Sequence, residues 1–269
     1  MSQIPFFVTM PHSGEKIPDS CIWLKNLPEE ILMCDIDRYI DRLYEPALSQ
    51  LKINSHKTEW HRYAVDLNRI PEDVDCTSVE GSIHKAGTHN RGFHWVETTH
   101  GDILMSKPMS LQQHHDLKEL IYDPFHLKIN SIYSDFKKQG FKKIYHLDVH
   151  SMPSVGTKMH RDPGEKRADI VISDCLGTSC EPEFRDLVVA AYVSAGFKVG
   201  YNWPYVGGRL TEQYGQPSQG QQVIQVELNR ELYMCEKTKK INQTSFKIQE
   251  KITEALSTIQ MQISHMKNN

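Results

Sequence analysis

Ile144-Tyr145-His146-Leu147-Asp148-Val149-His150-Ser151 is a run of strand-forming residues that stops at a His followed by Ser. A second run, Phe6-Phe7-Val8-Thr9-Met10-Pro11-His12-Ser13-Gly14-Glu15, ends the same way. In open α/β sheets, ligands sit outside the carboxyl ends of the strands, so a His placed there faces a site. Two such His residues with carboxylates close by suggest a metal.

The rest of the chain alternates strand and helix patterns around these two runs. Residues 4–10 read as a buried strand, and Pro11 to Gly14 with Pro18 as an irregular loop. Glu29 to Leu48 reads as a helix entered after Pro28, with Asp37 and Asp41 four apart on one face. Tyr63 to Arg69 alternates like a strand and meets Pro71. Residues 72–108 are rich in Gly, Thr, Ser and His with weak periodicity, which fits a lid or a wall of the site. Leu111 to Lys138 reads as a long helix kinked at Pro124 and ended by Gly140, followed by a strand over 143–149 and a loop over 151–167. Then come a strand at Ala168–Asp174, a helix from Glu181 to Ala195 closed by Gly196, and a strand at Phe197–Tyr201. A loop from Asn202 to Gly220, a strand at Val223–Leu228 and a helix over 244–265 complete the chain. The pattern predicts one α/β domain over 1–269, with a mostly parallel or mixed central sheet and helices on both faces.

Bulk properties narrow the function classes. The 269 residues carry a net charge of −3, so no global basic surface recruits nucleic acid or membrane. No apolar run approaches the roughly 20 residues that span a bilayer. The N-terminus has no positively charged segment before its apolar run and does not read as a signal peptide. None of the six Cys forms a C-x-x-C pair, and a chain this long does not need disulfide staples; free thiols in a reducing cytosol are expected.

The chemistry-bearing residues cluster in few places. His12 with Glu15 gives H-x-x-E, and a distant His150 completes the three ligands of a catalytic zinc site with an open position for water. Taken singly, Glu15 reads as a solvated loop charge and Asp37 as a helix-surface carboxylate. Asp148 lies two residues before His150 on the same side of the strand, so it is a candidate to orient that imidazole. Glu227 sits in the apolar strand Val223-Ile224-Gln225-Val226-Glu227-Leu228, where a carboxylate is costly unless paired or at work. It is either a general base or half of a buried ion pair, for instance with Arg230. Asn68 and Arg69, Arg62, and Arg209 after Gly207-Gly208 are candidates to grip an anionic substrate. Structural pairing is the bland reading of each Arg, most of all Arg62.

Seven short motifs in order carry a resemblance that runs through nearly the whole chain. They are Pro11-His12-Ser13-Gly14 with Ile17-Pro18; Asp35-Ile36-Asp37 with Asp41-Arg42-Leu43-Tyr44; Arg62 to Arg69; Asp148-Val149-His150-Ser151-Met152-Pro153; Ala168-Asp169 with Asp174; Asn202-Trp203-Pro204-Tyr205 with Gly207-Gly208; and Gln225 to Met234. The pattern resembles the N-formylglutamate amidohydrolase family, a branch of the zinc carboxypeptidase-like hydrolases with a zinc-exopeptidase (phosphorylase/hydrolase)-like fold. The resemblance implies a cytoplasmic enzyme that cleaves the formyl amide of N-formyl-L-glutamate to formate and glutamate, as in histidine degradation. It implies one divalent metal, Zn2+ foremost, held by His12 and His150, with Asp37 preferred over Glu15 as third ligand. It casts Glu227 as the base and later the proton donor. Asn68 and Arg69 would take the substrate's α-carboxylate, and Arg209 its side-chain carboxylate or the oxyanion. Two alternatives stand beside this: another N-acyl amino acid or a peptide on the same machinery, with the choice made by the 72–108 loop, or a non-catalytic binding protein on the same scaffold. The presence of both His and of Glu227 speaks against the latter.

Overall fold

The computed structural model describes residues 4–266. β3 (Ile144–Met152) is buried along its whole length, yet its two faces differ. Tyr145, Leu147 and Val149 point into one apolar cluster, and the alternate positions His146, Asp148 and His150 form a polar row on the other face. β1 (Phe6–Met10) and β6 (Gln221–Asn229) flank β3, both parallel to it. The six-stranded sheet has the order β2-β1-β3-β6-β4-β5, with β2 at Asn54–Lys57, β4 at Ile170–Ser173 and β5 at Val199–Tyr201. β4 runs antiparallel to β6, so the sheet is mixed. The carboxyl ends of β1, β3 and β6 therefore lie side by side, and His150 and Glu227 are register partners.

One face of the sheet is covered by α2 (Ile40–Leu51), α5 (Pro182–Ser194) and α7 (Ser245–Met266). In α7 the buried residues Ile248, Ile252, Ala255, Leu256, Ile259 and Ile263 recur at helical spacing, which gives a single apolar stripe to bury. The other face carries α4 (Asp123–Lys138), through Phe125, Ile129, Ile132, Tyr133 and Phe136, together with buried residues of the 60–109 segment.

Several expectations from sequence are corrected. The helix expected over Glu29–Leu48 is two helices, α1 (Glu29–Leu32) and α2, separated by a loop over 33–39. Asp35 accepts from the Tyr63 hydroxyl at 2.8 Å and the Thr99 amide at 3.1 Å, and the Asp37 amide donates to the His12 carbonyl at 2.9 Å. These long-range bonds outcompete the helical ladder, and Tyr39 enters α2 from the left-handed region at φ 69. Asp37 and Asp41 thus do not share a helix face; Asp41 pairs with Lys57 at 2.8 Å.

The strand expected over Tyr63–Arg69 is a pair of turns, closed by Ala64 N–H to the His61 carbonyl and Arg69 N–H to the Asp66 carbonyl. The long helix runs without a gap from Leu111 to Lys138, and its irregularity comes just before Pro124. α3 (Leu111–Leu117) passes through a wide π turn at Lys118–Tyr122 into α4, and that turn lets the helix continue past Pro124, which has no N–H to give. Within the expected 202–220 loop there is a short helix, α6 (Arg209–Tyr214). Polar β2 and the hairpin β7 (Met234–Cys235) with β8 (Lys240–Ile241) were not foreseen.

Candidate active site

His12 lies just past β1, His150 near the end of β3, and Asp37 in the loop before α2. All three are buried, and their ligand atoms lie within 4.8 Å of one another. The two Nδ1 atoms face each other at 3.1 Å, and Asp37 Oδ2 is 3.0 Å from that of His150 and 3.6 Å from that of His12. The outer nitrogens are committed. His12 Nε2 meets Asp66 Oδ1 at 2.8 Å, and His150 Nε2 meets Asp148 Oδ2 at 3.0 Å. A carboxylate only accepts, so each Nε2 carries a proton, and either ring in its neutral form turns an Nδ1 lone pair inward. Asp37 is aimed in the same way: the Ser151 hydroxyl and Arg230 Nη2 donate to Oδ1 at 3.0 and 3.5 Å, leaving Oδ2 to the His pair.

Two imidazole lone pairs and one carboxylate oxygen converging in a buried place fit a divalent cation of the zinc type. The electrostatics point the same way. Burial opposes charge on both His150 and Asp37. Even so, Asp148 and Asp37 hold His150 well above its usual value, and the two His hold Asp37 well below the carboxylate range. The cluster is built to stabilise positive charge.

The polar row of β3 extends behind the cluster. Thr9 Oγ1 donates to Asp148 Oδ1 at 2.8 Å and lies 2.7 Å from His146 Nε2; His146 Nδ1 lies 3.0 Å from the Tyr133 hydroxyl. A hydroxyl has one proton, so Thr9 accepts from His146 Nε2–H, and His146 Nδ1 accepts from Tyr133. Burial lowers His146 to about 4, which keeps it neutral in this role. Donation therefore runs from Tyr133 through His146 and Thr9 to Asp148, which accepts from His150 Nε2–H on its other oxygen.

Glu227 is buried at 6% exposure and has no ion pair among the described residues. Arg230, the partner considered for it, instead bonds Ser151, the Cys34 carbonyl and Asp37. Gln225 Nε2 donates to Glu227 Oε1 at 2.9 Å, while Gln225 Oε1 accepts from the Gly208 amide at 2.6 Å, which fixes the carboxylate's position. Burial, partly offset by His150, raises the Glu227 carboxyl to about 7.

Glu227 shares a cavity of about 280 Å³ with His12, Asp37 and His150. Four Arg line it. Arg62 pairs with Asp66 at 2.9 Å, Arg91 with Glu97 at 2.6 Å, and Arg230 with Asp37 at 3.5 Å. Arg69 is different: Nε and Nη1 donate to the carbonyls of Arg91 and Asn68, each at 3.1 Å, and no carboxylate pairs with it among the described residues. Asn68 lines the cavity and is also structural, because its Oδ1 accepts from Leu210 N–H at 2.7 Å. A Cβ on Gly208 would stand 2.1 Å from the Asn68 amide nitrogen, so that close approach requires glycine.

Two candidates lie elsewhere. Glu15 is outside the cluster; its carboxylate is 36% exposed and bonds Arg38 at 3.1 Å. Arg209 is 41% exposed, bonds Glu212 at 3.2 Å and lines a neighbouring cavity of about 540 Å³ that shares Asn68, Arg69, Gly207 and Gly208 with the first. The sequence reading gave no site role to Asp66, Arg91, Trp95, His160, Tyr205 or Gln225. Gln225 carried a usable signal, since it lies two residues before Glu227 on the same strand face. The others reach the site from irregular segments, where no periodicity points.

Comparisons with known proteins identify the family. The profile of the N-formylglutamate amidohydrolase family matches residues 4–234. N-formylglutamate deformylase of Pseudomonas aeruginosa is 26% identical over 238 residues, covering 87% of this chain and 84% of that protein. Its Pseudomonas putida counterpart is 26% identical over 239 residues, covering 87% and 83%. The crystal structure of N-formylglutamate amidohydrolase from Ralstonia eutropha JMP134 superposes with a TM-score of 0.84 at 25% identity, covering 98% of this chain and 94% of that one. An Agrobacterium tumefaciens protein at 18% identity, covering 96% of this chain and 92% of its own, shares the fold with a TM-score of 0.68. With a family profile spanning most of its length, the chain belongs to the N-formylglutamate amidohydrolase family.

Proposed function

We propose that this protein is a metal-dependent amidohydrolase that cleaves the formyl amide of N-formyl-L-glutamate, releasing formate and glutamate. One observation carries the reading: a buried His12–Asp37–His150 cluster, an ion-pair-free carboxylate at Glu227 and an Arg69 without an acidic partner all open into one cavity. The relatives named N-formylglutamate deformylase supply the substrate.

A divalent cation held by His12, Asp37 and His150, with Zn2+ suited to that donor set, supplies acidity to water and polarises the formyl carbonyl. The chain's own residues do the rest. Arg69 binds the α-carboxylate, its guanidinium being held by two backbone carbonyls and in no ion pair among the described residues. Glu227, oriented by Gln225, removes a proton from the attacking water. As the carbon–nitrogen bond breaks, Glu227 returns that proton to the departing amine. Asp66 and Asp148 keep both imidazoles in the tautomer that presents Nδ1.

The neighbouring cavity bordered by Arg69 and Arg209 supports a second reading, in which the amine portion extends beyond a single amino acid. A hydrolysis screen decides. Formate release from N-formyl-L-glutamate should exceed release from N-formyl derivatives of neutral amino acids and turnover of N-acetyl-glutamate or N-formyl dipeptides. Preferred cleavage of dipeptides supports the second reading, and inactivity on every compound contradicts both.

A further inference from the structure

The proposed reaction places negative charge on the formyl oxygen, and the residues assigned so far leave that oxygen without a hydrogen-bond donor from the chain. The cavity-lining arginines are committed: Arg62, Arg91 and Arg230 each have a carboxylate, and Arg69 is assigned to the substrate's own. Among the other side chains of the cavity, Tyr205 has a donor to spare. Tyr205 lines it together with Glu227 and His150. Its oxygen is 3.0 Å from Arg167 Nη1, and a guanidinium can only donate, so the phenol oxygen accepts there. The phenol's own proton has no acceptor among the described residues. Burial pushes the phenol's pKa up, so that proton stays in place at neutral pH.

The support behind Tyr205 is rigid. Arg167 Nε and Nη2 take both Asp162 oxygens, at 2.7 and 2.8 Å, and Nη1 also reaches the Pro153 carbonyl at 3.1 Å. The Tyr205 backbone is pinned by the Ser173 hydroxyl, which donates to its carbonyl at 2.8 Å. The guanidinium lies over the phenol ring, 5.1 Å from its centroid. His160 is the competing donor, because its Nδ1 accepts from the Thr157 amide at 3.0 Å and Nε2 carries the proton. Both line the cavity that holds Glu227, and Tyr205 is the one whose hydroxyl is held by a guanidinium that is itself paired to a carboxylate.

Resting on the amidohydrolase reading above, we propose that Tyr205 is a catalytic residue whose uncommitted O–H donates to the formyl oxygen as charge gathers there in the tetrahedral intermediate. No proton is transferred in this step; the hydrogen bond strengthens as the oxygen becomes anionic and relaxes when formate leaves. Arg167 and Asp162 are positioning residues that set the phenol's direction.

Tyr205→Phe removes only the hydroxyl. Loss of one oxyanion donor should lower kcat roughly 10²-fold while KM stays within about threefold. Bound metal and the thermal midpoint should match the wild type, which separates the effect from misfolding. Affinity for a phosphonate analogue, with phosphorus in place of the formyl carbon, should fall roughly in step with kcat, while affinity for glutamate should not change. If kcat and analogue affinity are retained, the role is overturned. A raised KM with unchanged kcat also overturns it, since that marks ordinary substrate binding. His160→Gln with the larger kcat loss would move the role to His160. Wild-type protein that releases no formate defeats the amidohydrolase reading itself, an outcome distinct from an active wild type with an equally active Tyr205→Phe.

Discussion

Asp37 and Glu15 show at the scale of single residues what brings a carboxylate to the His pair. Glu15 has the sequence spacing, three residues after His12, but it is surface-held by Arg38. Asp37 has no recognisable spacing and is aimed by Ser151 and Arg230 at both imidazoles. Asp37→Asn should abolish tight binding of a divalent ion, and Glu15→Gln should leave it intact, as read by elemental analysis after gel filtration; the reverse pattern would return the role to Glu15. Glu227 makes the second test at this scale. Glu227→Gln should keep the metal and lose about 10²- to 10⁴-fold in turnover. The base works only when deprotonated, so kcat/KM should fall as pH drops through its pKa, which burial raises to about 7 and a neighbouring cation lowers. An acid limb that survives in residual Glu227→Gln activity would assign the limb to another group.

At the scale of elements, three adjacent parallel strands deliver the site, and this much was legible in the sequence. β1, β3 and β6 were readable from apolar runs, and His12, His150 and Glu227 from their interruption of those runs. The H-x-D-x-H spacing of 146, 148 and 150 also signalled one polar face of β3, although the sequence reading took only Asp148 and His150 from it. What stayed hidden lies on irregular backbone. Asp37 was read onto a helix face because Glu29–Leu48 has helical spacing; the bonds that unwind residues 33–39 come from Tyr63, Thr99 and His12, far away in sequence. Asp66 was read within a strand because Tyr63–Arg69 alternates, yet it is fully buried on a turn and receives four donors, from His12, Arg62, Trp95 and the Asn68 amide.

The polar row gives a prediction at this scale. Thr9→Val keeps the shape of β1 but cuts the link between His146 and Asp148. Metal affinity should fall roughly 10- to 100-fold, with a stability loss of about 1–3 kcal/mol from the stranded His146 N–H. An unchanged metal Kd would mean that Asp148 orients His150 without help.

The whole molecule carries a sheet whose two faces answer to different demands. One face is an apolar seat for α2, α5 and α7; the other is threaded with buried histidines. Burial lowers His61 to about 4, His94 to about 3 and His126 to about 4, none of them part of the His12–Asp37–His150 cluster. Their folded pKa values lie below the unfolded value, so the unfolded chain binds more protons. The stability they contribute is complete above about pH 6.5 and is lost as pH falls toward 4, by roughly 3 kcal/mol for each such group. The thermal midpoint should therefore drop steeply across that window, before carboxylate protonation sets in. A midpoint that stays level from pH 7 to 4.5 would show that these histidines ionise without penalty.

The central claim is that the His12–Asp37–His150 cluster and Glu227 form one metal-dependent catalytic unit. It is tested most directly by titrating Zn2+ into chelator-stripped protein while formate release from N-formyl-L-glutamate is recorded. The stripped protein should be inactive, and the rate should climb and level off near one equivalent per chain. Formate release that persists in the stripped protein and does not respond to added metal would contradict it.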